Sequence, residues 1–236
     1  MKKLLLLIAC LFLTISFISC ENEEKEEEEE IAPVVEVPNT CLLEDEIIIS
    51  NIVGIPKNVT FNKVKAEISG VDWEIIDVVE SVYDDGKIVL PLPSSFPGEK
   101  LQKVVRSNKF DYTGFWFAST DNEEARVAAL GDVFVYNNDK RVGMLFLTDW
   151  PGEGSSVGKS WIYYHFTDQP FTLAKYIKKT PDDDDRGSYV YEASFEKGWN
   201  AYANTNLTDK STDNAILCTT TIEETKKLVW YFKALN

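Results

Sequence analysis

From Val59 to the C-terminus the chain reads as short runs of alternating apolar and polar residues, broken by Gly, Asn and Asp turn signals. That is the pattern of half-buried β-strands. In VTFNKVKAEIS (59–69) the apolar set is Val59, Phe61, Val64, Ala66 and Ile68, with a phase slip at Asn62-Lys63 where a β-bulge is expected. WEIIDVVESVYDDGKIVLPLP (73–93) reads as two strands joined at Asp84-Asp85-Gly86, the glycine supplying positive φ. RVAALGDVFVY (126–136) and RVGMLFLTDW (141–150) form a hairpin about the polar turn 137–140, and further strands are expected over 160–166, 171–177, 188–196, 199–205, 215–221 and 228–233. The one tidy helix pattern is GEKLQKVVR (98–106), with Leu101, Val104 and Val105 on one face. At the C-terminus a helix competes, since Thr221 and Glu224 make a capping box and Leu228, Phe232 and Leu235 share a helical face. The β-forming run Val229-Trp230-Tyr231-Phe232 favours a strand. The fold class is therefore all-β, an antiparallel β-sandwich or alternatively a closed β-barrel, with at most one or two short helices.

Upstream the pattern is different. Lys2 and Lys3 precede the apolar stretch Leu4–Phe17, which has the charged and apolar regions of a secretory signal and is short for a membrane span. Phe17-Ile18-Ser19-Cys20 resembles the lipobox of bacterial lipoproteins, in which the cysteine thiol is alkylated by a diacylglycerol and becomes the first mature residue. The resemblance implies a signal peptide over 1–19 and lipidation at Cys20. Several acyl chains on that cysteine would hold the protein durably on a membrane, where one chain binds only marginally.

Glu21–Glu30 holds eight glutamates, one lysine and one asparagine, so this stretch has nothing apolar to bury. With Cys20 and the Pro-punctuated IAPVVEVP (31–38) it is expected to act as a disordered, self-repelling spacer over 20–40. Cys20 followed by Lys25-Glu26-Glu27 also looks like the export signal of Bacteroidetes lipoproteins, which implies the outer membrane with the domain facing outward. From Cys41 to Asn236 no second linker interrupts the chain, which implies one β-rich domain with length enough for a sizeable core.

The formal charge is −15, and −17 without the leader's two lysines. No Lys/Arg cluster offers the basic face that a nucleic-acid partner requires. The mature cysteines Cys41 and Cys218 can pair in an oxidising compartment or stay as inert buried thiols.

The strand ending in a DG turn and LPLP (90–93), then VFVYNNDKRVGMLFL (133–147), YEASFEKGWNAYA (191–203) and KLVWYF resemble a group of Bacteroidetes lipoproteins of unassigned function. Lys197-Gly198-Trp199-Asn200, a turn between two strands, is the distinctive element. The resemblance implies a β-rich fold and a lipid anchor and carries no catalytic residues.

Candidate chemistry is sparse. His165 is the only histidine, so a histidine-clustered zinc site is excluded. Ser160 with His165 and an Asp makes a hydrolytic triad formally available, but GEGSSVGKS (152–160) lacks the strand-turn-helix context of an exposed nucleophile. The same loop misses the phosphate-cradling GxxxxGK[ST] pattern, because Glu153 stands where its first glycine belongs. PDDDDRG (181–187) fails as a calcium loop, with Arg186 at a ligand position and Ala193 where a bidentate Glu is needed. No cofactor is implied.

Aromatic residues give the stronger signal. FDYTGFWFAS (110–119) carries rings on both strand faces, including Trp116, and Trp150, Trp161 and Tyr163 follow. Core packing explains these letters. Outward-facing rings at Trp116, Trp161 and Tyr163 would instead bind a glycan or another cell-surface protein. The sequence thus points to a non-catalytic binding module on a membrane anchor. The alternatives are a carboxylate-dependent glycoside hydrolase and a structural component of a surface assembly.

Overall fold

The computed structural model describes residues 43, 45–104, 120–150, 154–177, 188–208, 215–221 and 227–235. The leader, Cys20, the acidic spacer, Cys41, the aromatic run 110–119 with Trp116, the acidic run 181–187 and the 222–226 segment lie outside the described residues. All that is described falls within the unit Ala32–Asn236, so a chain beginning at Ile31 contains every element below.

Two sheets form. In the small one, β1 (Glu46–Ser50) and β4 (Lys87–Pro91) pair antiparallel with Ile47 opposite Leu90 and Ile49 opposite Ile88. These four side chains are buried and the residues between them face outward, as strict alternation requires. Among the described residues the large sheet has eleven strands. Its path runs β3 (Ile75–Val82), β2 (Lys63–Ser69), β6 (Arg126–Asn137), β7 (Lys140–Thr148), β8 (Ser160–Thr167), β11 (Gly198–Asn206), β12 (Ala215–Thr219), β10 (Ser188–Phe195), β9 (Phe171–Ile177). β13 (Val229–Ala234) pairs with β7, and the two-residue β5 (Gln102–Lys103) pairs with β6. The fold is all-β and sandwich-like, and the sheets are not closed into a barrel among the described residues. Helical content there is limited to single 3₁₀ turns at Val71–Trp73 and Gly98–Lys100. The C-terminal segment is a strand over Val229–Ala234, as its β-forming residues predict.

The long strand β6 shapes the sandwich. Its first half, Val127–Leu130, pairs with β8, and its second half, from Val133, pairs with β7. At the fork, Gly131 and Asp132 together face the single residue Glu67 of β2, a bulge that bends the strand between its two neighbours. On β2 the register shifts between Ala66 and Ile68 and between Ile68 and Ser69. At the expected Asn62-Lys63 position Asn62 N–H donates to Tyr136 O at 3.0 Å while its carbonyl accepts Tyr83 N–H at 2.9 Å, so its two backbone groups serve opposite neighbours, unlike those of a regular strand residue. Val59 and Phe61 instead reach the core from the segment preceding β2.

Two cores lie on opposite faces of the central strands. The first fills the space between β1–β4 and the large sheet, with Ile49, Val64, Ile88, Leu90, Trp199 and Trp230 fully enclosed. The second gathers Val104, Val127, Leu173, Phe195, Tyr202 and Cys218. This division corrects the helix expected at 98–106. Leu101 belongs to the first core and Val104 to the second, three residues apart in a stretch paired with β6, where odd spacing sends side chains to opposite faces. A helix would have put both on one face, and Val104 N–H instead donates to Ala125 O at 3.1 Å.

The Asp84–Lys87 turn closes with both backbone bonds, at 3.0 and 2.9 Å, Asp85 taking φ 45° and Gly86 φ 79°. Beyond it the strands part, β3 to the large sheet and β4 to the small one. A second departure from simple hairpins occurs at β10 and β11, which are joined by residues 196–197 but separated in the sheet by β12. β12 runs parallel to β10 and antiparallel to β11, the one parallel strand pair described in an otherwise antiparallel sheet.

Gly70 sits where the chain leaves β2, and a Cβ built on it would collide with the carbonyl oxygen of Lys100. That oxygen belongs to backbone anchored by Lys100 N–H to Pro97 O at 2.9 Å, so it cannot yield cheaply. Gly70→Ala is expected to destabilise the domain by about 1–3 kcal/mol, read as a fall in the urea midpoint at unchanged m-value.

Candidate functional site

One face of β8 carries Trp161, Tyr163 and His165, and the facing strand β11 places Asn204, Tyr202 and Asn200 directly opposite them. The row climbs out of the second core. His165 and Tyr202 are buried, Tyr163 is 42% exposed, and Trp161 and Asn204 are half-buried. Tyr163 stacks on Tyr202 with ring centroids 5.6 Å apart and planes at 27°. Trp150 meets Trp161 edge-to-face at 5.4 Å and 76°. The result is an aromatic strip flanked by side-chain amides.

Local chemistry holds the strip still. Thr148 Oγ1 donates to Ser160 O at 2.7 Å and accepts from Trp150 N–H at 3.0 Å, while Asp149 Oδ1 accepts Ser160 N–H at 2.6 Å. Trp150 is thereby fixed to the first residue of β8. The Gly/Ser loop beyond is pinned to the end of β11. Gly158 N–H donates to Asn206 O at 2.7 Å, Asn206 N–H to Lys159 O at 3.0 Å, and Asn206 Nδ2 to Ser156 Oγ at 3.0 Å. Gly158 takes φ 75°, which explains a glycine at that turn. Rings held by a ladder and by side-chain bonds lose little freedom when a ligand lands on them.

His165 is shut away from solvent. Burial pushes its imidazole pKa down to about 3, so the ring is neutral at ordinary pH. It packs on the Tyr202 ring at 4.8 Å, with Nε2 3.3 Å from the Tyr202 hydroxyl. Ser160 is also buried, its hydroxyl 2.6 Å from that of Thr205. Ser160 and His165 project from opposite faces of β8 and stand roughly 16 Å apart along the strand. The Ser160–His165 pair that a triad would require is not assembled.

Among the described residues no three His, Cys, Asp or Glu side chains gather as metal ligands. Cys218 is a free thiol in the second core, and burial raises its pKa far above the ordinary range. Its sequence-proposed partner Cys41 lies outside the described residues, as does Trp116.

The Lys197-Gly198-Trp199-Asn200 motif is structural. Gly198 takes φ 109°, and Asn200 closes the turn, accepting Glu196 N–H at 3.0 Å and donating to Glu196 O and Gly198 O at 2.7 and 2.9 Å. Trp199 turns into the first core and donates Nε1–H to Pro93 O at 2.8 Å. Of the strip, Trp150, Trp161 and Tyr163 are aromatics that the sequence offers. Tyr202 and Asn204 are not singled out by it, although the signal exists in WNAYANTN (199–206), where Ala201 and Ala203 alternate with larger polar-capable residues. Comparison with protein-family models, curated proteins and solved structures found no match.

Proposed function

We propose that this chain is a lipid-anchored protein of the outer membrane, acylated at Cys20, whose β-domain is a non-catalytic binding module for a glycan or a surface protein. The observation that carries the binding reading is Tyr163, an exposed tyrosine at the centre of a rigid aromatic strip. An aromatic face receives the C–H face of a sugar ring or a flat peptide side chain, and the amide of Asn204 beside it can bond ligand hydroxyls or amides. The burial of His165 and Ser160 weighs against a hydrolase centred on them. Support for the anchor comes from the lipobox at Phe17–Cys20 and the acidic stretch after it.

The test is a glycan array and a surface-protein pull-down with the chain from Ile31, alongside Tyr163→Ala. Binding by the parent chain and at least a tenfold loss in the variant is the expected result, with unchanged thermal stability because the ring is partly solvent-exposed. A ligand bound equally by the variant, or no ligand in either screen, overturns the reading of the strip. Intact-mass analysis of the native product checks the anchor separately.

A further inference from the structure

β3 ends the large sheet, and no described strand pairs with its outer edge. It is a long edge at eight residues, and it is unusually apolar. Of the ten large hydrophobics exposed among the described residues, four lie on it or in the turn before it: Trp73, Ile75, Val78 and Val82, the last 64% exposed. Edge strands of monomeric proteins are normally short, charged or covered, because their open N–H and C=O groups template another strand.

The orientation of those groups can be read from the bonds present. Tyr83 N–H points inward, to Asn62 O at 2.9 Å, and Ile68 faces Asp77, Ala66 faces Val79 and Val64 faces Ser81. Odd-numbered residues from 77 on therefore bond β2, while Val78, Glu80 and Val82 present their backbone groups to the open edge. In agreement, Val78 N–H is met by the Asp77 carboxylate at 2.8 Å, a local substitute for a strand partner.

We propose that this edge pairs antiparallel with the same edge of a second copy of the chain, about a two-fold axis at Val79, continuing the large sheet from one copy into the other. The sequence of the strand selects both the partner and the register. With Val79 opposite Val79, Asp77 faces Ser81, Ile76 faces Val82 and Val78 faces Glu80, so within β3 no carboxylate lies directly across from another. Centring on Glu80 would set the two Glu80 carboxylates against each other, and centring on Val78 would set both carboxylates against apolar residues, Asp77 against Val79 and Glu80 against Ile76, where the Val79 register does so for Glu80 alone. In the chosen register Glu80 arrives ion-paired with Lys65, whose Nζ lies 2.7 Å from its carboxylate and whose pairing holds the Glu80 pKa down, so the group stays charged while one of its oxygens already has a partner. Confinement to a membrane would raise the effective concentration of copies, so a weak contact in solution suffices.

The register makes an asymmetric prediction. Val78→Glu places two carboxylates opposite the partner's Glu80 residues, whereas Val78→Lys places ammonium groups there. Sedimentation velocity of the chain from Ile31, at concentrations up to about 1 mM, should show reversible dimerisation of the parent. The Glu variant should dimerise at least tenfold more weakly and the Lys variant at least as strongly, both with parental circular dichroism because the Val78 side chain is exposed. A chain monomeric throughout overturns the proposal. So does dimerisation that both substitutions weaken alike or leave untouched, and so does a monomer that takes up an unrelated extended peptide at this edge. The aromatic strip on β8 and β11 takes no part in this measurement, so its outcome is independent of ligand binding.

Discussion

A chain carrying Trp199→Ala is expected to lose about 3–5 kcal/mol of unfolding free energy, a large share of what holds a typical domain together. Trp199 is among the largest enclosed side chains, and its indole lies edge-on to Phe96 and to Phe166, with centroids at 6.1 and 5.8 Å. Removing it opens a cavity between β11, β8 and the 93–96 segment, and backbone pinned by two ladders can only partly collapse to fill it. It also deprives Pro93 O of its 2.8 Å donor. Trp199→Phe separates the two contributions. The ring contacts largely survive while the N–H is lost, so a smaller cost is expected, of which about 1 kcal/mol is the hydrogen bond. Guanidinium unfolding of the three chains measures this. A difference below about 1 kcal/mol between the parent and the Ala variant would mean that the Trp199 pocket is not a principal support of the sandwich. Because Tyr202 and Asn204 ride on the same strand, the Ala variant should also lose ligand binding, whereas Tyr163→Ala should lose binding alone.

Alternation along the chain made the strands legible. Each strand expected from 160 to 233 is present within a residue or two, because a strand half-buried on a sandwich writes its period into the sequence directly. Where that reasoning failed, one stretch served two cores. Leu101 and Val104 show helical spacing, yet they satisfy hydrophobic clusters on opposite sides of the sheet, and spacing alone cannot distinguish those cases. Topology was less legible still. The DDG turn and the KGWN turn both look like hairpin loops, and both turn the chain as a hairpin does. Whether the strands then stay paired depends on distant segments, β1 capturing β4 and β12 entering between β10 and β11. The site shows the same division. Tyr163 and Trp161 were readable as aromatics on one strand face, but only the pairing of β8 with β11 reveals that Tyr202 lies under one ring and Asn204 beside the other. The open edge at β3 was invisible, since EIIDVVESV reads equally well as a strand with two neighbours or one.

Acid should weaken the domain through His165 in particular. In the folded chain burial holds the imidazole pKa at about 3, while in the unfolded chain it returns to about 6.5. Between those values the unfolded state binds a proton that the native state refuses, so the unfolding free energy rises with pH. Read downward, this stabilisation is fully present above pH 6.5 and lost progressively as pH falls toward 3, at about 1.4 kcal/mol per unit from this one residue. From well above pH 6.5 down to pH 4.5 the loss is on the order of 2–3 kcal/mol, comparable to a core truncation. Carboxylates contribute their own pH dependence, so the informative quantity is the difference in slope between the parent and His165→Gln, which cannot titrate. The parent should show the steeper fall by one proton's worth, even if Gln costs some stability at pH 7. As the only histidine, His165 also gives a single pair of imidazole signals in a tag-free chain, and these should hold their neutral shifts down to the onset of unfolding. Equal slopes, or an imidazole that titrates near pH 6.5 in the folded chain, would place the ring in contact with solvent. Tyr202 rests on His165 and Tyr163 rests on Tyr202, so charging the imidazole forces open the floor of the aromatic strip. Ligand binding should therefore fail over the same acid range in which the fold gives way, and no separate titration of the exposed rings is needed to explain it.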